Sequence, residues 1–294
     1  MAHDPAPGDT GDERRLLIAM VLTGAFMVVE AIAGVLTGSL ALLADAGHMF
    51  TDTAALALAW TAFRIGRRVP DPRRTYGYHR FQVLAAFVNG VTLIAVVGWI
   101  AIEAIRRLMA PIEILGGMML AVAVAGLVVN LATFAVLQGG DRGNLNVHGA
   151  ALHVLGDLLG SVAAIVAGAV ILATAWTPID PLLSLFVAGL IARSAWRLVR
   201  KSAHILLEGA PDWLDVAELR ARLTGAIPEV EDIHHVHAWS LTTERPLLTL
   251  HAKLRSGADS GETLAAITGF LRSAYGISHA TVQLEPGGCP DGTR

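Results

Sequence analysis

The hydrophobic positions of this chain fall in blocks far longer than a globular core requires. Six apolar blocks follow one another at about Leu16–Leu36, Leu40–Phe63, Phe81–Ile105, Ile114–Leu137, Leu145–Ala173 and Pro178–Leu198. Each reaches the roughly 20 residues a helix needs to cross the hydrocarbon of a bilayer. The pattern therefore predicts six transmembrane helices. Thr37-Gly38-Ser39 breaks the first block from the second, and short polar loops separate the rest. Residues 1–13 are rich in Pro, Gly and Asp, a composition that predicts a disordered start.

Past Lys201 the period changes. A helical stretch, Trp213–Leu223, is closed by Gly225 and Pro228. Strand-like runs at Val230–Leu241 and Leu247–Leu254 flank a turn at Glu244-Arg245-Pro246. A second helix over Gly261–Ala274 precedes a strand over Ala280–Glu285. The order α-β-β-α-β suits a small cytoplasmic α+β domain of ferredoxin-like type. The expected plan is a disordered N-terminus (1–13), a six-helix membrane domain (14–201), a linker (202–208), the α+β domain (209–286) and a tail (287–294).

Composition agrees with that division. The 294 residues are 54% hydrophobic and 16% charged, and mean hydropathy is +0.56. A soluble domain carries about 25% charged residues. Residues 1–201 hold 15 Lys and Arg against 13 Asp and Glu, a net of +2, and residues 202–294 hold 7 against 12, a net of −5. That balance lacks the basic footprint of a nucleic-acid binder. Cys289 is the single cysteine, so an intrachain disulfide, a four-cysteine site and a CxxC site are all excluded. The first apolar block is too long for a signal peptide's core and is expected to remain as a span.

Basic residues set the orientation. Arg64, Arg67, Arg68, Arg73, Arg74 and Arg80 crowd the second connection, Arg142 sits in the fourth, and Arg193, Arg197, Arg200 and Lys201 mark the end of span six. The first and fifth connections have none, and Arg106 and Arg107 after span three are the contrary signal. Both termini are expected in the cytoplasm, with the spans in the lipid bilayer of a bacterial inner membrane.

Two segments inside the apolar blocks stand out: His48-Met49-Phe50-Thr51-Asp52 and His153-Val154-Leu155-Gly156-Asp157. Each carries His and Asp at i and i+4, neighbours on one helix face. Ionisable groups in hydrocarbon mark ion or proton pathways by default. The alternative is a pair of buried hydrogen bonds cross-linking helices, but an identical spacing in two spans favours a shared site. His48, Asp52, His153 and Asp157 would give two nitrogens and two oxygens, a set that suits tetrahedral Zn2+, with Co2+ or Cd2+ as further cargo. Asp45 lies two turns before Asp52 and within about 20° of its face, either along the ion's path or bonded to a neighbour. Glu30, Asn89 and Asn130 read as interhelical hydrogen-bonders. No HExxH helix is present, which argues against a membrane zinc protease.

The run Leu43-Ala44-Asp45-Ala46-Gly47-His48-Met49-Phe50-Thr51-Asp52, the loop Tyr76-Gly77-Tyr78-His79-Arg80 and the run Leu152-His153-Val154-Leu155-Gly156-Asp157 resemble the cation diffusion facilitators. Asp180-Pro181 and His237-Ala238-Trp239 fit as well, and the likeness extends from about Leu16 to Glu285. The resemblance implies a six-span homodimeric transporter whose cytoplasmic domains pair. It also implies divalent metal export in exchange for protons through a central site at His48, Asp52, His153 and Asp157, similar to the zinc-exporting branch. It places a cytoplasmic metal site on His234, His251 and Glu285, with Gln283 where some relatives have His and His279 as a candidate substitute. Cys289 lies close enough to Glu285 in sequence to join, and the alternative is an ordinary set of surface histidines. Simple strand alternation would put His235 and His237 on one face and His234 on the other. A loop site used by some relatives is not expected here, because Arg74 and Tyr78 stand where those have His. Asp71 remains, and His79 reads as structural.

Coordinating His must be neutral and Asp ionised, so one site holds either a metal ion or protons. That exclusion suffices for antiport. The competing class is a membrane-anchored metal sensor that does not transport.

Overall fold

The computed structural model describes residues 10–50, 53, 65, 71–138, 145–243 and 245–286, with backbone alone at 10–16, 137–138, 145–157 and 159. The described residues form two compact units, one within residues 1–58 and 88–198, the other within 59–87 and 199–294.

Helices make up the first unit and reach into the second: α1 (Thr10–Thr37), α2 (Leu40–Phe50), α3 (Arg80–Met109), α4 (Gly116–Gln138), α5 (Leu145–Thr174) and α6 (Ile179–Leu206). Among the described residues, four carry stretches long and apolar enough to cross a membrane: Leu17–Thr37, Arg80–Met109, Gly116–Val136 and Ile179–Leu206. Two shorter apolar helices, Leu40–Phe50 and Gly160–Thr174, fall within the second and fifth expected spans. Much of the second span lies outside the described residues.

Helix α2 sits between two clusters. Leu40 and Ala44 pack with Leu93, Val97, Ile100 and Ala104 of α3 and with Ala188, Ile191 and Ala195 of α6. The three- and four-residue spacings trace one stripe on each helix. On α2's other side, Ala41 and Leu42 join Ala33 of α1, Met119 and Ala123 of α4, and Ala164, Ala167 and Ile171 of α5. Small residues let backbones approach: a Cβ on Gly168 would lie 3.0 Å from Leu120 Cβ, and one on Gly126 would strike the Phe26 ring. Large apolar side chains elsewhere point outward, Val35 at 71% exposed and Phe186 at 63%, as a lipid-facing surface requires.

The break between α1 and α2 is built from Gly38 at φ +72°, a conformation an L side chain resists. Arg107 spans it, donating to the Gly38 carbonyl while pairing with Glu103 at 3.1 Å. Glu103 is three-quarters shielded and paired with both Arg106 and Arg107. Arg106 and Arg107, which run against the loop-charge rule, thus neutralise Glu103 and satisfy a helix end.

The C-terminal part runs α7 (Val216–Ala226), β1 (Val230–Thr242), β2 (Arg245–Leu254), α8 (Ser260–Tyr275) and β3 (His279–Glu285). The sheet order is β1-β2-β3, antiparallel between β1 and β2 and parallel between β2 and β3. Leu219 and Leu223, Ile267 and Leu271, and Ile233, Leu248 and Leu250 form its core. The first helix begins three residues later than its apolar pattern predicts. Asp215 accepts from the N–H groups of Ala217 (2.8 Å) and Glu218 (3.1 Å), and that N-cap fixes the start.

Candidate metal sites

The serine at the start of α2 is tied to α6. Asp180, fully buried, accepts from Ser39 Oγ at 2.7 Å, Leu40 N at 2.8 Å and Ala41 N at 3.1 Å. A helix begins with unpaired N–H groups, and here a carboxylate from another helix satisfies two of them. In the sequence Asp180 stands out only as part of the Asp180-Pro181 pair. A carboxylate set back from both His/Asp segments gives no sign from spacing that it caps α2.

Helices α2 and α5 run antiparallel. Thr37 O accepts from Leu115 N at 3.1 Å, and Gly116 backs onto Ile171. Leu42 lies in the cluster with Ala164 and Ala167, and Asp45, 3% exposed, faces Gly160. A Cβ on Gly160 would lie only 2.5 Å from Asp45 Oδ1 and 2.9 Å from its Cγ. The absent side chain is what admits the carboxylate. Asp45 therefore bears on α5 one turn from the second His/Asp segment. His48, half-buried, follows one turn later on α2. Asp52 lies outside the described residues, as do the side chains of His153 and Asp157. Close by, Asn130 of α4 donates to Ser161 Oγ of α5 at 3.2 Å, the interhelical role expected of it. Glu30 and Asn89 are buried.

In the C-terminal domain, His234, His251 and Glu285 converge, with one ligand atom from each lying within 4.8 Å of the others. His234 and His251 face each other across β1 and β2, and Gln283 pairs with His251 across β2 and β3. His251 Nδ1 lies 2.9 Å from Glu285 Oε1. His234 Nε2 approaches Glu285 Oε2 at 3.1 Å, in ion-pair range but without hydrogen-bond angles. Atoms bound to one tetrahedral Zn2+ stand about 3.3–3.6 Å apart, given ~2.0–2.2 Å bonds, so a small rearrangement of these side chains would suit an ion. Asp232 Oδ2 lies 3.1 Å from His234 Nδ1, an outer carboxylate partner of the kind that orients a ligating imidazole. The Gln283 amide donates to Glu285 Oε1 at 3.1 Å.

Two expectations are corrected. His279 does not join this group: it opens β3 opposite Leu247, at the other end of the strand from Glu285, about 20 Å away at strand rise. Its ring meets Tyr76 edge-on at 6.1 Å. His235 does not follow alternation either. The β1–β2 register shifts between His234 and His237, and His235 takes φ +47°. The bulge turns its ring onto His251, stacked at 4.9 Å. Cys289 lies outside the described residues.

The loop before α3 has other partners. Asp71 accepts from Tyr78 OH at 2.6 Å and from the N–H groups of Arg73 and Arg74 at 2.8 Å. The Tyr78 hydroxyl, then the Arg73 N–H, hold its carboxyl below the usual range. His79 Nε2 accepts from Arg245 Nη1 at 2.7 Å. Burial first, then the charge of Arg245, lower its imidazole's pKa, keeping it neutral as an acceptor. This structural role matches expectation.

The description "Cation efflux transmembrane domain" matches residues 16–207, and "Cation efflux protein, cytoplasmic domain" matches residues 206–287. The chain belongs to the cation diffusion facilitator family. Its members named among the relatives are transporters, not enzymes. The zinc transporter ZitB of Escherichia coli (strain K12) is 51% identical over 278 residues, covering 94% of this chain and 88% of the relative. The metal cation efflux system protein CzcD of Cupriavidus metallidurans is 40% identical, covering 98% and 90%. A cadmium, cobalt and zinc/H(+)-K(+) antiporter of Bacillus subtilis (strain 168) is 39% identical, covering 97% and 92%. The chain is thus an integral membrane protein of the cation efflux family.

Proposed function

We propose that this protein exports divalent metal, Zn2+ above all, from the cytoplasm in exchange for protons, through one site made by His48, Asp52, His153 and Asp157. The observation that carries this reading is the register of Asp45 on Gly160. That contact supports a helix pairing in which, at the helix period, the His48/Asp52 segment would lie beside the His153/Asp157 segment and offer a two-nitrogen, two-oxygen set. The names of the relatives, a zinc transporter and a cadmium, cobalt and zinc antiporter, support the cargo and the exchange.

Six spans, with both termini in the cytoplasm of a bacterial cell, complete the arrangement, and the α-β-β-α-β domain is of ferredoxin-like type and pairs in a homodimer. Metal binds from the cytoplasm to neutral His and ionised Asp; the helices then reorient, and incoming protons occupy the same atoms and release it. Expelling Zn2+ against one proton moves positive charge outward at about 2.3 kcal/mol per 100 mV, whereas exchange for two is electrically neutral. The His234, His251 and Glu285 cluster acts as a second, regulatory zinc site.

The test is zinc flux in proteoliposomes with a pH-sensitive dye enclosed. Wild type is expected to move Zn2+ and protons in opposite directions, and Asp157→Ala to move neither. Normal flux in that variant would reject the assignment. A metal sensor of the same architecture would bind zinc without any flux.

A further inference from the structure

Within the second unit an open cavity of about 650 Å³ lies between the loop before α3 and strand β1. Arg73, Arg74 and Arg80 line it, with Tyr76, Trp239 and Glu208. The charges do not cancel. Arg80 pairs with Glu208 at 3.2 Å, and Arg74 lies 3.9 Å from Asp71. Arg73, exposed, has no side-chain ion pair among the described residues. Each guanidinium carries five N–H groups, so the two paired arginines also keep donors to spare. Arg80 Nε is buried with no acceptor among the described residues. The cavity therefore holds an excess of positive charge and of N–H donors.

Its other walls are apolar. Phe81 and Leu84 come from the first turns of α3, and Leu206 is the last residue of α6. Both helices are long and apolar enough to cross a membrane, and Phe81 is where the third expected span begins, so the start of α3 stands near the membrane–water boundary. Tyr76 and Trp239 are residue types that favour that level. The loop is fastened in place: Asp71 to Tyr78, His79 to Arg245, and Tyr76 against His279.

We infer that this cavity binds the phosphate of an anionic phospholipid headgroup. Arginine clusters match phosphate oxygens with paired N–H donors. Basic pockets at the cytoplasmic ends of membrane helices are where acidic headgroups collect. Nothing in this site depends on the transported ion. A free phosphate has the same chemistry, but the apolar helix ends beside the arginines favour a ligand that brings glycerol and acyl chain with it.

The test uses the full-length protein in nanodiscs of phosphatidylcholine alone and of phosphatidylcholine mixed with phosphatidylglycerol. Retained lipid is counted by native mass spectrometry, and melting temperature is measured. Wild type is expected to retain phosphatidylglycerol and to melt higher in the mixed discs. Arg73→Ala with Arg74→Ala should lower retention about tenfold or more, as loss of a charge-assisted contact implies. Arg106→Ala, outside the cavity, should leave retention unchanged. Equal retention in the double variant and wild type would overturn the site, as would an Arg106→Ala effect as large as theirs. Inorganic phosphate added to phosphatidylcholine discs is the second arm. If it raised the melting temperature as much as phosphatidylglycerol, with the same dependence on Arg73 and Arg74, the lipid assignment would fall to a soluble anion.

Discussion

Ser39 Oγ donates to Asp180 Oδ1 at 2.7 Å, and the same carboxylate accepts the first N–H groups of α2. A side chain from α6 thereby sets where α2 begins, and α2 carries His48. Losing an N-cap costs about 0.5–2 kcal/mol, and leaving buried donors unpaired costs about 1–3 kcal/mol. Asp180→Ala should therefore lower the melting temperature of the detergent-solubilised protein clearly, and Ser39→Ala by less, since the two backbone bonds survive it. Equal melting of Asp180→Ala and wild type would mean that the cap contributes nothing.

The C-terminal cluster should respond to zinc through His251. An ion held by His234, His251 and Glu285 binds the folded domain alone and raises its stability by mass action. Chelation should lower the unfolding temperature of this domain, and His251→Ala should abolish the difference. Full-length protein carrying Asp157→Ala, titrated calorimetrically, isolates this site from the proposed intramembrane one. Unaltered zinc binding after His251→Ala would place the ligands elsewhere.

The spacing of His, Asp and apolar residues carries much of this architecture, and the limits are instructive. Helix stripes such as Leu93, Val97, Ile100 and Ala104 are legible because burial repeats with the helix period. The meeting of His234 with His251 and Glu285 depends on strand order and register, which no local pattern encodes. His235 was misplaced because a bulge breaks the two-residue period at that point. His279 is a stand-in, on family likeness, for the histidine some relatives carry at Gln283, but the length of β3 separates it from Glu285. The capping role of Asp180 is not legible because capping across helices depends on tertiary packing.

Acid should loosen the contact between His79 and Arg245. The folded-state pKa of His79 lies below its ordinary value of about 6.5. The folded protein thus binds its proton less readily than the unfolded chain does. The stabilisation is present above the unfolded value and is lost as pH falls through the lower, folded value. NMR titration should place His79 below an ordinary histidine. Arg245→Ala should move it upward only in part, because burial, the larger cause, remains. A titration indistinguishable from that of a free imidazole would remove the basis for this contact.

Gly160→Ala tests the contact between α2 and α5 without touching any proposed metal ligand. The added methyl carbon would start 2.5 Å from Asp45 Oδ1, too close for either atom to stay. Either the Asp45 side chain swings away or the helices part. Parting would spread the proposed four-ligand site, and a misplacement of about 1 Å can cost roughly a hundredfold in a positioned site. Zinc flux in Gly160→Ala should therefore fall sharply. Asp45→Ala removes the colliding carboxylate, so the double variant separates the causes. Flux restored relative to Gly160→Ala identifies steric separation of the helices as the fault. Flux abolished equally by Asp45→Ala alone and by the double variant assigns the loss to the carboxylate itself, as a residue on the ion's path. Full flux in Gly160→Ala would show that the two helices need not be in contact here, and the proposed pairing of His48 with Asp157 would fail with it.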